Sequence, residues 1–182
     1  KQGKIALIGP LADTRDNIAG TWSVAQAPEK YTTIKEAMEK ALDGKATLLY
    51  AQGSNIWRDR ELQKNGEQGK SIAWGDKVKM KNEALQIAKE ADVIICAMGE
   101  TADMSGECAS RTNLEMPDVQ QELLAELAKT GKPVVLLNFA GRPTVLSWEN
   151  EHIPAIMNVW FGGSEVGDAL CDVIFGDKSP SG

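Results

Sequence analysis

Apolar residues fall into five short runs, Ile5–Ile8, Thr47–Tyr50, Val93–Met98, Val134–Asn138 and Ala155–Trp160, each flanked by glycine, proline or charged residues. Continuous apolar runs of this length are the pattern of strands covered on both faces, as in a parallel sheet. Between them the apolar positions recur at helical spacing. Thr33–Leu42 carries Ile34, Ala37, Met38, Ala41 and Leu42 on one stripe. Asp76–Glu90 carries Val78, Ala84, Leu85, Ile87 and Ala88, and Asp118–Lys129 carries Val119, Leu123, Leu124 and Leu127. Pro117 and Asp118 suit the first turn of that helix, and Gly131 marks its stop. A short helix is expected after Pro143. A last one is expected over Ser164–Phe175, with Ser164 as N-cap and Gly176 just past its end.

Strand and helix alternate five times. The expected fold class is therefore α/β: a doubly wound, mostly parallel sheet of five or six strands with helices on both faces, a flavodoxin-like α/β sandwich. No repeat or low-complexity stretch divides residues 1–182, which read as a single domain. Two connections are long, Pro10–Thr32 with Trp22 and Ala51–Gly75 with Trp57 and Trp74. Long loops in a compact domain are more often functional than idle. Their tryptophans either pack against something or stack on a ligand, and packing is the commoner use.

Composition narrows the classes. The chain is 42% hydrophobic and 25% charged, which is globular. Its apolar runs fall short of the roughly 20 residues of a membrane span. The net charge is −6 with no basic run, which argues against nucleic acid as a partner and against attraction to an anionic membrane. Cys96 lies in an apolar strand and Cys171 in a helix with an apolar face, so both read as small buried hydrophobes. No CxxC spacing occurs and His152 is the only histidine, so no metal site is expected. KQGKIALIGP lacks signal-peptide architecture.

Several chemistries fail on their motifs. The first strand-to-helix turn reads GPLADTRD, with neither GxGxxG nor GxxxxGK[ST]. Gly162-Gly163-Ser164 would either cradle a phosphate at a helix N-terminus or simply permit a tight turn with Ser164 as cap; the tight turn is the expectation. A phospho-acceptor domain would need an acidic pair after the first strand and an aspartate ending the third, whereas the chain has Ile8-Gly9-Pro10 and Met98-Gly99-Glu100. There is no GxSxG elbow, and His152 within Glu149–Pro154 reads as a solvated loop residue. What remains is Gly99–Thr112, GETADMSGECASRT, leaving the carboxyl end of the third strand, where open α/β sheets bind their ligands. It carries Glu100 and Glu107. Taken alone, a loop glutamate is more often solvated than functional.

The segment GETADMSGECASRTNLEMP, followed by DVQQELLAEL and TGKPVVLLNFAGRP, resembles the second domain of glycoside hydrolase family 3, the β-glucosidases and exo-glucanases. KIALIGPLAD, GTWS and NVWFGGSEVGDALCDVIFGDKSPSG extend that resemblance along the chain, and the likeness is to bacterial periplasmic β-glucosidases in particular. The resemblance implies a retaining enzyme in which an N-terminal (β/α)8 barrel supplies an aspartate nucleophile and this domain supplies the general acid/base. By the family pattern that acid/base is Glu107, while Glu100 and Arg111 organise the loop. Retention needs the two carboxyl groups roughly 5–5.5 Å apart, with the acid's pKa raised. Desolvation beneath the barrel and the nucleophile's charge would both raise it.

The same resemblance implies that residues 1–182 are a piece of a larger enzyme lacking its barrel, inactive alone. The barrel of the same polypeptide and a β-glucoside or oligosaccharide would be its partners, its location would be periplasmic or secreted, and no cofactor is implied. A non-catalytic scaffold or a carbohydrate-binding domain is the alternative. Rich in small residues and without its barrel, Gly99–Asn113 is expected to be mobile.

Overall fold

The computed structural model describes residues 3–66 and 71–181. Residues 67–70 of the long Ala51–Gly75 connection lie outside the described residues. Five strands, β1 (Gly3–Ile8), β2 (Ala46–Ala51), β3 (Val93–Gly99), β4 (Val134–Phe139) and β5 (Ala155–Asn158), form one sheet in the order β2-β1-β3-β4-β5. Every pairing is parallel, with Ile5 opposite Val93, Ile94 opposite Val134 and Val135 opposite Ala155.

Strand residues alternate between two cores, as the two-residue period requires. Leu7, Ile95, Ala97, Leu137 and Phe139 face a core closed by α1 (Ile34–Leu42) and α6 (Val166–Ile174), through Ile34, Met38, Val166 and Leu170. Ala6, Ile8, Ile94, Cys96, Met98 and Leu136 face the opposite core. That one is closed by α3 (Lys77–Glu90) and α4 (Asp118–Ala128), through Ala84, Ala88, Leu123, Leu124 and Leu127. This is the doubly wound sandwich expected from the alternation.

Four local expectations need correction. Val78 is 61% exposed; Met80, Ala84 and Ala88 are the buried residues of α3. The fifth strand stops at Asn158, two residues early: after a last backbone bond from Val159 N–H to the Asn138 carbonyl (2.9 Å) the chain leaves the sheet, with Trp160 at φ +59°. His152 is helical, in the last turn of α5 (Ser147–His152), with its ring stacked on Trp148 at 4.5 Å. Ser164 caps nothing: α6 begins at Val166 after a backbone turn in which Val166 N–H bonds the Gly163 carbonyl (3.1 Å). A sixth helix, α2 (Arg60–Asn65), has a polar sequence without an apolar stripe, and is started by Asp59 accepting from Glu61 N–H (2.8 Å).

The site is placed by the ends of β1 and β3. The chain leaves β1 for β2 on one side and continues from β3 to β4 on the other, so the strand order reverses between them. Ligand crevices of open sheets lie at such points. Two glycines let the strands end there in close contact. Gly9 and Gly99 have φ of +140° and +129°, and a Cβ at either would lie 2.1 Å from the carbonyl oxygen of Ala97 or Phe139 on the neighbouring strand.

Candidate active site

The loop that follows β3 puts its two glutamates in opposite surroundings. Glu100 is fully buried. Its backbone N–H extends the sheet to the Phe139 carbonyl (2.7 Å), and its Oε1 accepts from Arg111. Its Oε2 lies 3.5 Å from Arg142 Nε. Arg111 also bonds the Glu115 carbonyl (3.1 Å), and its guanidinium lies 5.3 Å from the centre of the Trp57 ring. Glu107 is exposed at the loop tip and makes no side-chain hydrogen bond or ion pair among the described residues. The structure thus brings Glu100 and Arg111 together and holds Glu107 apart from both pairings.

Three walls fix the base of this loop. From the β1 side, Asn17 Oδ1 accepts from Ala102 N–H (3.0 Å), and the Thr21 hydroxyl reaches the carbonyls of Ala102 and Ser105, the latter at 2.8 Å. From α4, Gln120 brackets Gly99, accepting from its N–H and donating to its carbonyl, both at 2.9 Å. From the connection after β4, the Arg142 guanidinium donates to the carbonyls of Met104 and Ala109, the latter at 2.9 Å. Ala102 and Met104, in a 3₁₀ turn, are buried, as are Thr101 and Ser105. The loop expected to be mobile over Gly99–Asn113 has a braced base: five of the six residues 100–105 are buried, and the exposed stretch begins at Gly106. Around Glu107 the backbone turns sharply, with φ of +97° at Gly106 and +61° at Cys108.

Of the loop tryptophans, Trp57 is half-buried beneath Arg111, whereas Trp22 is 70% exposed. Trp22 also borders the loop tip: a Cβ on Gly106 would sit 3.4 Å from its indole nitrogen. A cleft of about 560 Å³ opens elsewhere, lined by Lys40, Lys45, Asp168 and Phe175 of the α1 and α6 ends, and Glu107 takes no part in it. Arg142, Gln120, Asn17 and Thr21 were not singled out from the sequence. Gln120 alone left a signal, a polar residue beside Val119 on the buried stripe of α4.

An α/β sandwich with an exposed carboxylate on a braced loop at its topological switch point is the class these observations define. All 182 residues match the family model described as the glycosyl hydrolase family 3 C-terminal domain. The chain belongs to that family, as the GETADMSGECASRT segment led us to expect. It is 40% identical, over its whole length, to a periplasmic beta-glucosidase of Salmonella typhimurium, of which it covers 24%. It is 31% identical over 98% of its length to a beta-xylosidase of Formosa agariphila, covering 23% of that protein. Among solved structures, a GH3 beta-glucosidase of Bifidobacterium adolescentis superposes with a TM-score of 0.78 at 28% identity, over 100% of this chain and 24% of that one. The chain thus spans about a quarter of the length of these relatives. Among the described residues no helix is long and apolar enough to cross a membrane, and no cluster of His, Cys, Asp and Glu is suited to a metal ion.

Proposed function

We propose that this chain is the acid/base-donating domain of a retaining β-glucosidase, with Glu107 as general acid/base in the release of terminal β-D-glucosyl residues. The nucleophile belongs to an N-terminal barrel of the same polypeptide, the parent enzyme works in the periplasm or outside the cell, and the isolated domain is inactive. One observation carries the assignment: of the two loop glutamates, Glu100 is buried against two arginines, while Glu107 is exposed and unpaired among the described residues. Glu100, buried and committed to two guanidinium groups, has no face left for a substrate oxygen. Glu107 carries no such partner. A barrel closing over the loop tip sets a second carboxylate near it, the pairing a retaining glycosidase needs.

The cycle needs two carboxyl groups and one water. Glu107 protonates the departing oxygen as the barrel's carboxylate attacks the anomeric carbon; then, as a carboxylate, it takes the proton of the water that releases the sugar. Trp22, exposed beside Gly106, offers an aromatic face to a sugar ring at the same rim. The 40% likeness to a beta-glucosidase favours glucosides over xylosides.

The test is Glu107→Gln in the full-length enzyme, read as kcat/KM across substrates of different leaving group. An alkyl glucoside, whose departing oxygen needs a proton, should slow by about 10²–10⁴-fold, and a dinitrophenyl glucoside should be nearly spared. Equal slowing of both would overturn the assignment.

A further inference from the structure

We infer that Arg142 is a positioning residue for Glu107, a role that rests on the acid/base reading above. Arg142 lies 35 positions beyond Glu107, in the connection between β4 and α5, yet its guanidinium is bound into the β3 loop. It donates to the carbonyl of Met104 and, at 2.9 Å, to that of Ala109. Those two carbonyls are the feet of the tip that carries Glu107: Met104 and Ser105 are the last buried residues before it, and Gly106, Glu107 and Cys108 are exposed between the feet. Nη2 serves both carbonyls, so the distance between the feet is set by a single nitrogen atom. Behind it, Arg142 Nε faces Glu100 Oε2 at 3.5 Å, and Glu100 is itself anchored by Arg111. The neighbouring residue makes room for this approach: a Cβ on Gly141 would lie 1.9 Å from Ser105 Oγ.

Arginine suits this place because its planar fork makes several bonds in fixed directions, whereas lysine is a single point charge on a flexible stem. Without the fork, the Met104 and Ala109 carbonyls separate and the Gly106–Cys108 tip loses its fixed reach. A proton donor displaced by about 1 Å from its acceptor can lose about 10²-fold in rate. Arg142 therefore acts through Glu107, and its removal should resemble a partial loss of the acid. The signature is dependence on the leaving group, which general destabilisation does not produce.

The experiment uses the full-length enzyme with Arg142→Ala and Arg142→Lys, each alone and combined with Glu107→Gln, and kcat/KM for an alkyl and a dinitrophenyl glucoside. Arg142→Ala should cost the alkyl glucoside about 10–10²-fold and the dinitrophenyl glucoside less than about threefold. Arg142→Lys should show the same imbalance at smaller size, and carries the test if the alanine variant does not fold. In the Glu107→Gln background either change should cost the alkyl glucoside nothing further. Equal losses on both substrates, or full additivity in the double variant, would overturn the inference while leaving Glu107 as the acid. If Glu107→Gln itself shows no leaving-group dependence, the acid/base reading fails and the role of Arg142 falls with it.

Discussion

Replacing Glu100 with glutamine alters the shape of the side chain very little and removes one buried charge. The Glu100 side chain has 0% exposure, against 12% for Arg111 and 22% for Arg142. In the variant, two guanidinium groups meet across a neutral amide, whose NH2 must face one of them. Removing one partner of a buried ion pair costs about 3–5 kcal/mol. Here the arginines keep their carbonyl partners Met104, Ala109 and Glu115 and are partly open to water, so the lower end applies, about 3 kcal/mol. Set against a typical domain stability of about 5–15 kcal/mol, that is a large fraction. At about 2–4 °C per kcal/mol for a chain of this size, the melting temperature should fall by about 6–12 °C. Urea unfolding at pH 7, followed by circular dichroism, measures the loss, and Glu107→Gln is the control. An exposed, unpaired glutamate should change stability by no more than about 0.5 kcal/mol. The reasoning is refuted if Glu100→Gln costs under about 1 kcal/mol, or if the two variants are equally destabilised.

The isolated chain should unfold cooperatively yet leave an aryl glucoside untouched; turnover that copurifies with it would show that the nucleophile is not needed from elsewhere. At pH 8 one thiol, that of exposed Cys108, should react quickly with a disulfide reagent. Burial pushes the Cys171 thiol up to about 11 and that of fully buried Cys96 higher still, so both should react only after denaturation, and a second fast thiol would contradict the packing. Thr33→Ala should cost about 1–2 kcal/mol in the same urea assay, because Thr33 accepts from Glu36 N–H (3.1 Å) in a reciprocal cap and donates to Asp13 (3.0 Å). The Thr33 N–H and the Arg15 guanidinium hold the Glu36 carboxyl below its ordinary 4.5, so its contribution is complete above that pH and lost as the pH falls through the lowered value. Glu36→Gln should accordingly differ from the parent at pH 7 and converge with it in acid.

The strands and the long helices were legible because their signal is local. Buried runs such as Val93–Met98 and the stripe Ile34, Ala37, Met38, Leu42 are decided by periodicity, and tertiary packing only confirms them. Where a nonlocal contact decides, the sequence misled. β5 ends at Asn158, opposite Asn138 on the neighbouring strand, and Trp160 then adopts φ +59°, which no propensity suggests. Val78 lies on the expected stripe of α3, yet the helix is rotated so that Met80 faces the core. The site divides in the same way. Glu100, Glu107 and Arg111 lie within one short segment, and a family likeness could single them out. Arg142, Asn17 and Thr21 grip that segment from other connections, 33 to 85 positions away, and only the folded chain brings them to it.

The central claim is that Glu107 carries the proton, and chemical rescue tests it most directly. Glu107→Gln in the full-length enzyme, assayed with dinitrophenyl β-glucoside, should form its glycosyl-enzyme and then stall, because the water that frees the sugar has lost its base. Azide needs no base. It should restore turnover to Glu107→Gln and yield the β-glucosyl azide, while Glu100→Gln, with its acid/base intact, should gain nothing from azide and release only glucose. Azide rescue of Glu100→Gln in place of Glu107→Gln, or of neither, would contradict the account.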